Sequence, residues 1–364
     1  MYIKSLKLTN FRNYIDLNME LIPGVNILTG DNAQGKTNIL EAVFFCAYGR
    51  SHRTSKDREM QKFATDFTSV TVQVARSGND KKIDIRFMPD GKKFISINGS
   101  KITKIPDLLG NLNVVMFSPE DLKVVKETPG IRRRFLDMEI CSLDKIYYHN
   151  LVSYNKVILE RNNHLKSRRV DQVVLDVYDE EAAKFGSHVI LKRLSYLEKL
   201  NGKAGEIHRE ITSGKEAIQY EYRSSISLKG NLQANLLKGL MESRRTDMEK
   251  CYSSIGPHRD DFSILINQAD AKNFGSQGQQ RTAILTLKFA SLGIIKEATG
   301  EYPVLLLDDV LSELDISRQK FILSKIDEIQ TIITMTGYEN IEKRVIDGAR
   351  IYRISEGTAE KVVE

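Results

Sequence analysis

Apolar and polar residues alternate from the first positions of the chain. YIKSLKL and YIDLNMEL alternate in the manner of strands, which predicts two antiparallel strands. VNILTG reads as a buried strand ending in glycine, and TNILEAVFFCAYG as a helix. The two-residue period returns in SVTVQVAR and KIDIRFM. KFISI follows between the turn signals Asp90-Gly91 and Asn98-Gly99, and LNVVMF reads as a further buried strand. At SPEDL the pattern changes: Ser118 suits an N-cap, Pro119 the first helical position, and Glu120 and Asp121 the helix dipole. From there to about residue 250 the spacing is mostly helical, as in KFGSHVILKRLSYLEKL, with IQYEYRS as the strand-like interruption. DDFSILIN, YPVLLL and TIITM predict strands in the last third. The expected architecture is α/β. Residues 1–117 and 251–364 form one mixed-sheet head with helices, and 118–250 a mainly helical inserted arm.

Composition narrows the class. A chain of 364 residues with 41% hydrophobic and 28% charged residues has material for more than one packed unit. Its formal charge of +6 permits nucleic-acid binding without establishing it. Cys46, Cys141 and Cys251 are far apart and lack histidines at metal spacing, so neither a disulfide framework nor a zinc site is expected. No segment reaches the ~18–20 uninterrupted apolar residues of a membrane span, and MYIKSLKLTNF lacks a secretory h-region. A soluble, cytoplasmic protein is the expectation.

The chemistry concentrates in three places. GDNAQGKT fits G-x-x-x-x-G-K-T between a strand and a helix. A loop of this kind cradles nucleotide phosphates with its backbone N–H groups. The nucleotide-binding set is therefore Gly30, Asp31, Asn32, Ala33, Gln34, Gly35, Lys36, Thr37 and Asn38. Lys36 is placed to neutralise phosphate charge, and the Thr37 hydroxyl to ligate Mg²⁺ beside ATP. PVLLLDDVLSELD supplies the partner carboxylates: Asp308 for Mg²⁺, and Asp309 to polarise the attacking water where glutamate is more usual, which suits slow hydrolysis. GSQGQQR then offers a second anion-binding loop at a helix start. Its Ser276, Gln277, Gly278 and Gln279 have the Ser-x-Gly-Gln core of an ABC-type signature loop, suited to a nucleotide held by a partner subunit.

Taken with LKLTNFRNY, SHRTSKDREM, FSPEDLKVVKETPGIRRRFLD and SIGPHRDDF, these motifs resemble the RecF family of bacterial recombination and gap-repair proteins over essentially the full length. The resemblance implies a head related to SMC-type ATPases and an ATP-dependent homodimer on double-stranded or gapped DNA. It also implies the partners RecO and RecR, where RecA filaments are assembled. Carried onto this chain, it implies that Ser276, Gly278 and Gln279 face the opposite subunit's nucleotide and that Asp315 acts across the interface. Arg12 is either a nucleotide contact or an exposed turn arginine. Gln61 is the candidate Mg²⁺-sensing glutamine, and Thr336 stands where such ATPases often carry a switch histidine. Lys166, Arg168 and Arg169 form a basic turn, read as solvated surface with DNA phosphate contact as the alternative. His258 and one or more of Arg132, Arg133 and Arg134 are read as structural. Two other classes compete: a transport-complex ATPase subunit, and an SMC-like tether, disfavoured by the absence of a long heptad arm.

Overall fold

The computed structural model describes residues 1–167, 169–337 and 346–362. The amino-terminal third runs β1 (Tyr2–Phe11), β2 (Tyr14–Glu20), β3 (Val25–Thr29), α1 (Lys36–Tyr48), β4 (Thr68–Ala75), β5 (Lys81–Phe87), β6 (Lys93–Ile97), β7 (Ser100–Ile102), α2 (Ile105–Leu108) and β8 (Val114–Phe117). Helices α3 (Leu122–Lys126), α4 (Pro129–Leu143), α5 (Lys145–Leu165) and α6 (Gln172–Thr212) follow. Then come β9 (Ile218–Arg223), α7 (Leu232–Lys250), β10 (Asp261–Ile266), β11 (Ala269–Asp270) and α8 (Ala271–Phe274). The chain continues through α9 (Gln277–Thr299), β12 (Val304–Asp308), α10 (Ile316–Lys325), β13 (Thr331–Met335), β14 (Arg350–Ser355) and β15 (Thr358–Lys361).

Two compact units result: Met1–Asp121 with Ser291–Glu364, and Leu122–Ala290. The first unit contains two six-stranded sheets, ordered β2-β1-β4-β5-β6-β7 and β15-β14-β3-β13-β12-β8. The former is antiparallel throughout. The latter is parallel except for β15. Helix α1 touches strands of both sheets, so nearly all its side chains are buried and it is apolar all round rather than striped. A register shift between Ile3 and Ser5 lets Ile3 and Leu6 both face inward although they are three residues apart. The hairpin β14–β15 gives no clear alternation in the sequence, yet β14 lies beside the phosphate-loop strand, with Ile351 opposite Ile27.

The second unit packs α4 to α7 beside the antiparallel sheet β11-β10-β9. Its helical core includes Tyr154, Ile158, Ala183, Ile190, Leu236 and Leu240. Gly186 is needed there, since a Cβ would come 2.6 Å from Leu236 and 2.9 Å from Tyr154. The stretch 251–290, expected in the head, clusters with this helical unit instead. The reason is pairing: β10 runs against β9 from Asp261 opposite Arg223 to Ile266 opposite Ile218. Alternation marks DDFSILIN as a strand but carries no information about its neighbour.

Candidate nucleotide site

Strand β3 delivers the chain to Gly30, whose φ is +146°; a Cβ there would lie 2.2 Å from the Ile354 carbonyl oxygen of β14. Gly35 closes the loop at φ +116°, where a Cβ would meet the Asn13 amide at 2.6 Å and the Tyr14 hydroxyl at 2.8 Å. The two glycines are thus imposed by close neighbours as well as by backbone sign. The turn after β1 braces the loop: Asn13 Nδ2 donates to the Gln34 carbonyl (2.8 Å) and Tyr14 Oη to that of Gly35 (3.2 Å). From β14–β15, the Glu356 N–H donates to Gln34 Oε1 (2.7 Å).

Inside this frame Lys36 reaches back to donate to the carbonyls of Gly30 (2.5 Å) and Asp31 (2.8 Å). Burial lowers its pKa, opposed by the charges of Asp309, Asp31 and Asp308. Thr37 Oγ1 donates to Asp308 Oδ1 at 2.8 Å, and Thr334 Oγ1 donates to the same oxygen at 2.9 Å. Thr334 also accepts the Asp309 N–H at 2.9 Å, so one hydroxyl ties both acidic residues to β13. Asp309 itself sits at φ +55°, a conformation costing a non-glycine residue on the order of 1 kcal/mol or more and common where function sets geometry. Ser312 Oγ donates to its carbonyl at 2.7 Å.

The other head positions fall around this centre in different ways. Arg12, at φ +53° in the β1–β2 turn, grips the fully buried Glu41 of α1 through Nε (2.8 Å) and Nη2 (2.7 Å). Its role in the structure is a brace on the helix that follows the phosphate loop. Arg53 Nη1 donates to Asn38 Oδ1 at 2.9 Å, which extends that brace to the loop's last residue. Gln61 Nε2 donates to the Thr65 carbonyl at 2.5 Å, within its own loop. Asp315 caps α10, accepting the Arg318 N–H at 3.0 Å and pairing with the Arg318 side chain. Thr336 is exposed, and its carbonyl accepts from Thr29 Oγ1 at 3.2 Å. Sequence reasoning missed Thr334 and His52. The His52 ring lies edge-on to Phe44 at 5.2 Å, and burial holds its pKa low against the fields of Glu41 and Asp308. A threonine inside a run of buried strand residues carries no motif, so nothing in TIITM singles it out.

In the second unit, Ser276 and Gln279 form a reciprocal cap at the start of α9. Gln279 N–H donates to Ser276 Oγ (3.2 Å) and Ser276 N–H to Gln279 Oε1 (2.9 Å). Ser276 and Gln277 are exposed and Gly278 is half-buried. The signatures around Arg132–Asp137 and Gly256–Asp261 are joined within this unit. Arg132 clasps Asp261 (2.7 and 2.8 Å), Arg133 donates to the Asp260 carbonyl (2.7 Å), and Asp137 pairs with Arg193 (2.8 Å). His258 meets Tyr154 Oη at 2.6 Å and the Ser253 carbonyl at 3.0 Å. Lys166 and Arg169 are exposed; Arg168 lies outside the described residues.

A helix-covered parallel sheet carrying a phosphate loop, an acidic pair at a neighbouring strand end and an antiparallel companion sheet define an SMC-type ATPase head. The model of the RecF/RecN/SMC N-terminal domain matches residues 2–359. A DNA replication and repair protein RecF of Clostridium perfringens is 53% identical over 357 residues, covering 98% of this chain and 99% of its own. That of Clostridium tetani is 54% identical over 363 residues, covering 98% and 99%. A solved structure of the recombination mediator protein RecF with ATP, in the RecFOR pathway, superposes with TM-score 0.92 at 37% identity over 100% of this chain and 98% of that one. An SMC head bound to the C-terminal winged-helix domain of ScpA shares the fold, with TM-score 0.59 at 18% identity. The chain belongs to the RecF family. Among the described residues no helix is long and apolar enough to cross a membrane.

Proposed function

We propose that this protein is an ATP-operated clamp of recombinational gap repair. ATP occupies the Gly30–Thr37 loop and closes two copies into a homodimer. The Ser276–Gln279 loop of each copy then meets the nucleotide held by the other. The closed pair holds double-stranded or gapped DNA, supports RecA loading with RecO and RecR, and slow hydrolysis releases it. The observation that carries this reading is the convergence of Thr37 and Thr334 on Asp308, beside Asp309 and Lys36.

The donor set there fits Mg²⁺: a hydroxyl and a carboxylate are both hard oxygen ligands, already within 2.8 Å of each other. Thr37 and Asp308 are the residues that would hold the ion, which supplies charge neutralisation for the phosphates when bound. Asp309 is the base for water, its carboxylate carried on a strained backbone at the end of β12. Its side chain is one methylene shorter than the usual glutamate, in keeping with a switch whose output is a change of population rather than product. The RecF relatives named for DNA replication and repair, together with the RecF–ATP structure, support the assignment of DNA and nucleotide.

Solution molar mass by light scattering tests the scheme, with and without ATP and Mg²⁺, for the wild type and Ser276→Arg. A monomer that dimerises only with ATP, and only with Ser276 intact, is the expected result. A chain that stays monomeric with ATP bound removes the clamp mechanism.

A further inference from the structure

The cap on α9 is held from outside the helix. Gln279 Nε2 donates to Glu216 Oε1 at 2.9 Å, and Glu216 lies in the turn between α6 and β9. The second carboxylate oxygen of Glu216 faces His208 Nε2 at 3.4 Å, a charge approach longer than a good hydrogen bond. The other ring nitrogen of His208, Nδ1, lies 2.9 Å from the hydroxyl of Thr286, two and a half turns along α9. His208 and Thr286 are both fully buried. The turn after the 41-residue helix α6 is therefore joined to the loop through Glu216, and α6 itself to α9 through His208 and Thr286.

The chemistry of this path assigns orientation. A primary amide has one acceptor end and one donor end, and a cap needs only the acceptor. Glu216 accepts only, so it draws the amide nitrogen and leaves Gln279 Oε1 for the Ser276 N–H. The Gln279 N–H in turn occupies Ser276 Oγ as an acceptor, so the serine hydroxyl meets an anion as a donor. Burial holds His208 below its usual pKa, against the pull of Glu216. Its Nε2 makes no hydrogen bond among the described residues, so the 3.4 Å approach to Glu216 is a weak contact beside the Glu216–Gln279 bond.

We propose that Glu216 is a positioning residue for the Ser276–Gln279 loop: it fixes the Gln279 amide, and with it the Ser276 hydroxyl. The inference rests on the reading of that loop as the one that meets a partner's nucleotide. A movement at the end of α6 would then reach the loop through Glu216, beside the contact of His208 with Thr286 of α9.

The test uses the full-length chain with Glu216→Ala, Glu216→Gln and, as control, Ser276→Arg. Glutamine keeps an acceptor for the Gln279 amide; alanine does not. Glu216→Ala is expected to leave ATP affinity of the monomer unchanged, while weakening the ATP-driven dimer about tenfold, as loss of one charge-assisted hydrogen bond implies. Amide hydrogen exchange across 275–281 in the nucleotide-free chain should quicken by about the same factor. Glu216→Gln should restore most of both. If Glu216→Ala dimerises and exchanges like the wild type while Ser276→Arg fails to dimerise, the positioning role is overturned and the loop reading stands. If Ser276→Arg dimerises normally, the loop reading falls and the inference with it. Equal impairment by alanine and glutamine also overturns the proposal, because the acceptor would then be irrelevant.

Discussion

Thr334 is a buried threonine doing two jobs with one hydroxyl, donating to Asp308 and accepting from the Asp309 backbone. Thr334→Val keeps the shape, removes both bonds and strands a backbone N–H. That costs roughly 1–3 kcal/mol, or about tenfold or more in hydrolysis if Asp309 shifts with it. ATP affinity should change by less than about threefold, because the phosphate loop is untouched. Steady-state hydrolysis and nucleotide titration separate the two effects. Thr336→Val is the informative contrast: a larger loss there than at Thr334 would support the switch role expected of the exposed position. A second residue, His258, ties stability to pH. Burial, the leading cause, pushes its pKa down to about 4 from the ordinary 6.5. The unfolded chain therefore binds the proton more readily. Stability is fully present above about pH 6.5 and drains away as pH falls toward 4, with about 2 kcal/mol gone by pH 5. Denaturant unfolding at pH 7.5 and pH 5 should show this, and His258→Gln should flatten the difference. An equally steep pH dependence in the variant would place the titrating group elsewhere.

At the scale of elements, the phosphate loop was legible because its spacing states its conformation: glycine, four residues, glycine, lysine, threonine. The neighbours that make those glycines obligatory were not legible. Gly30 touches β14, some 320 residues away in sequence, and β14–β15 shows neither clean alternation nor a strong turn signal. Gly30→Ala is expected to separate the two constraints. Its Cβ must displace the Ile354 carbonyl from 2.2 Å, so thermal stability and ATP affinity should fall together, the latter by about tenfold or more. A stable chain that has lost only ATP binding would mean that β14 yields readily and backbone sign alone matters. Helix α1 illustrates the converse case. TNILEAVFFCAYG reads as helix from composition, but that both faces are buried follows only from the sheets on either side. The helical arm hid its charges in the same way: Arg161, between Asp179 (2.7 Å) and Asp247 (2.8 Å), is fully buried although LERNN looks solvated. Arg161 and its two carboxylates join α5, α6 and α7, and removing one partner strands a buried charge.

At the scale of the molecule, sequence motifs carried the family and the fold class, while the assignment of 251–290 depended on a strand pairing that no local pattern encodes. The same limit applies to DNA: Lys166 and Arg169 are exposed, but exposure alone does not distinguish a phosphate contact from a solvated face. Thermodynamic linkage does not need the contacts to be known. If the ATP-closed pair is the form that holds DNA, ATP tightens DNA by some factor, and DNA must tighten ATP by that same factor. A non-hydrolysable ATP analogue keeps the measurement at equilibrium. The expected coupling is about 5- to 150-fold, read once as the shift in DNA affinity on adding nucleotide. It is read again as the shift in nucleotide affinity on adding a duplex with a single-stranded gap. Ser276→Arg should reduce both factors to about one, because it blocks closure while leaving the phosphate loop and any DNA face intact. A duplex that leaves the nucleotide midpoint unmoved in the wild type would separate DNA binding from the ATP cycle. Thr37, Asp308 and Thr334 would then serve hydrolysis alone, and the clamp would have to be sought in a partner protein.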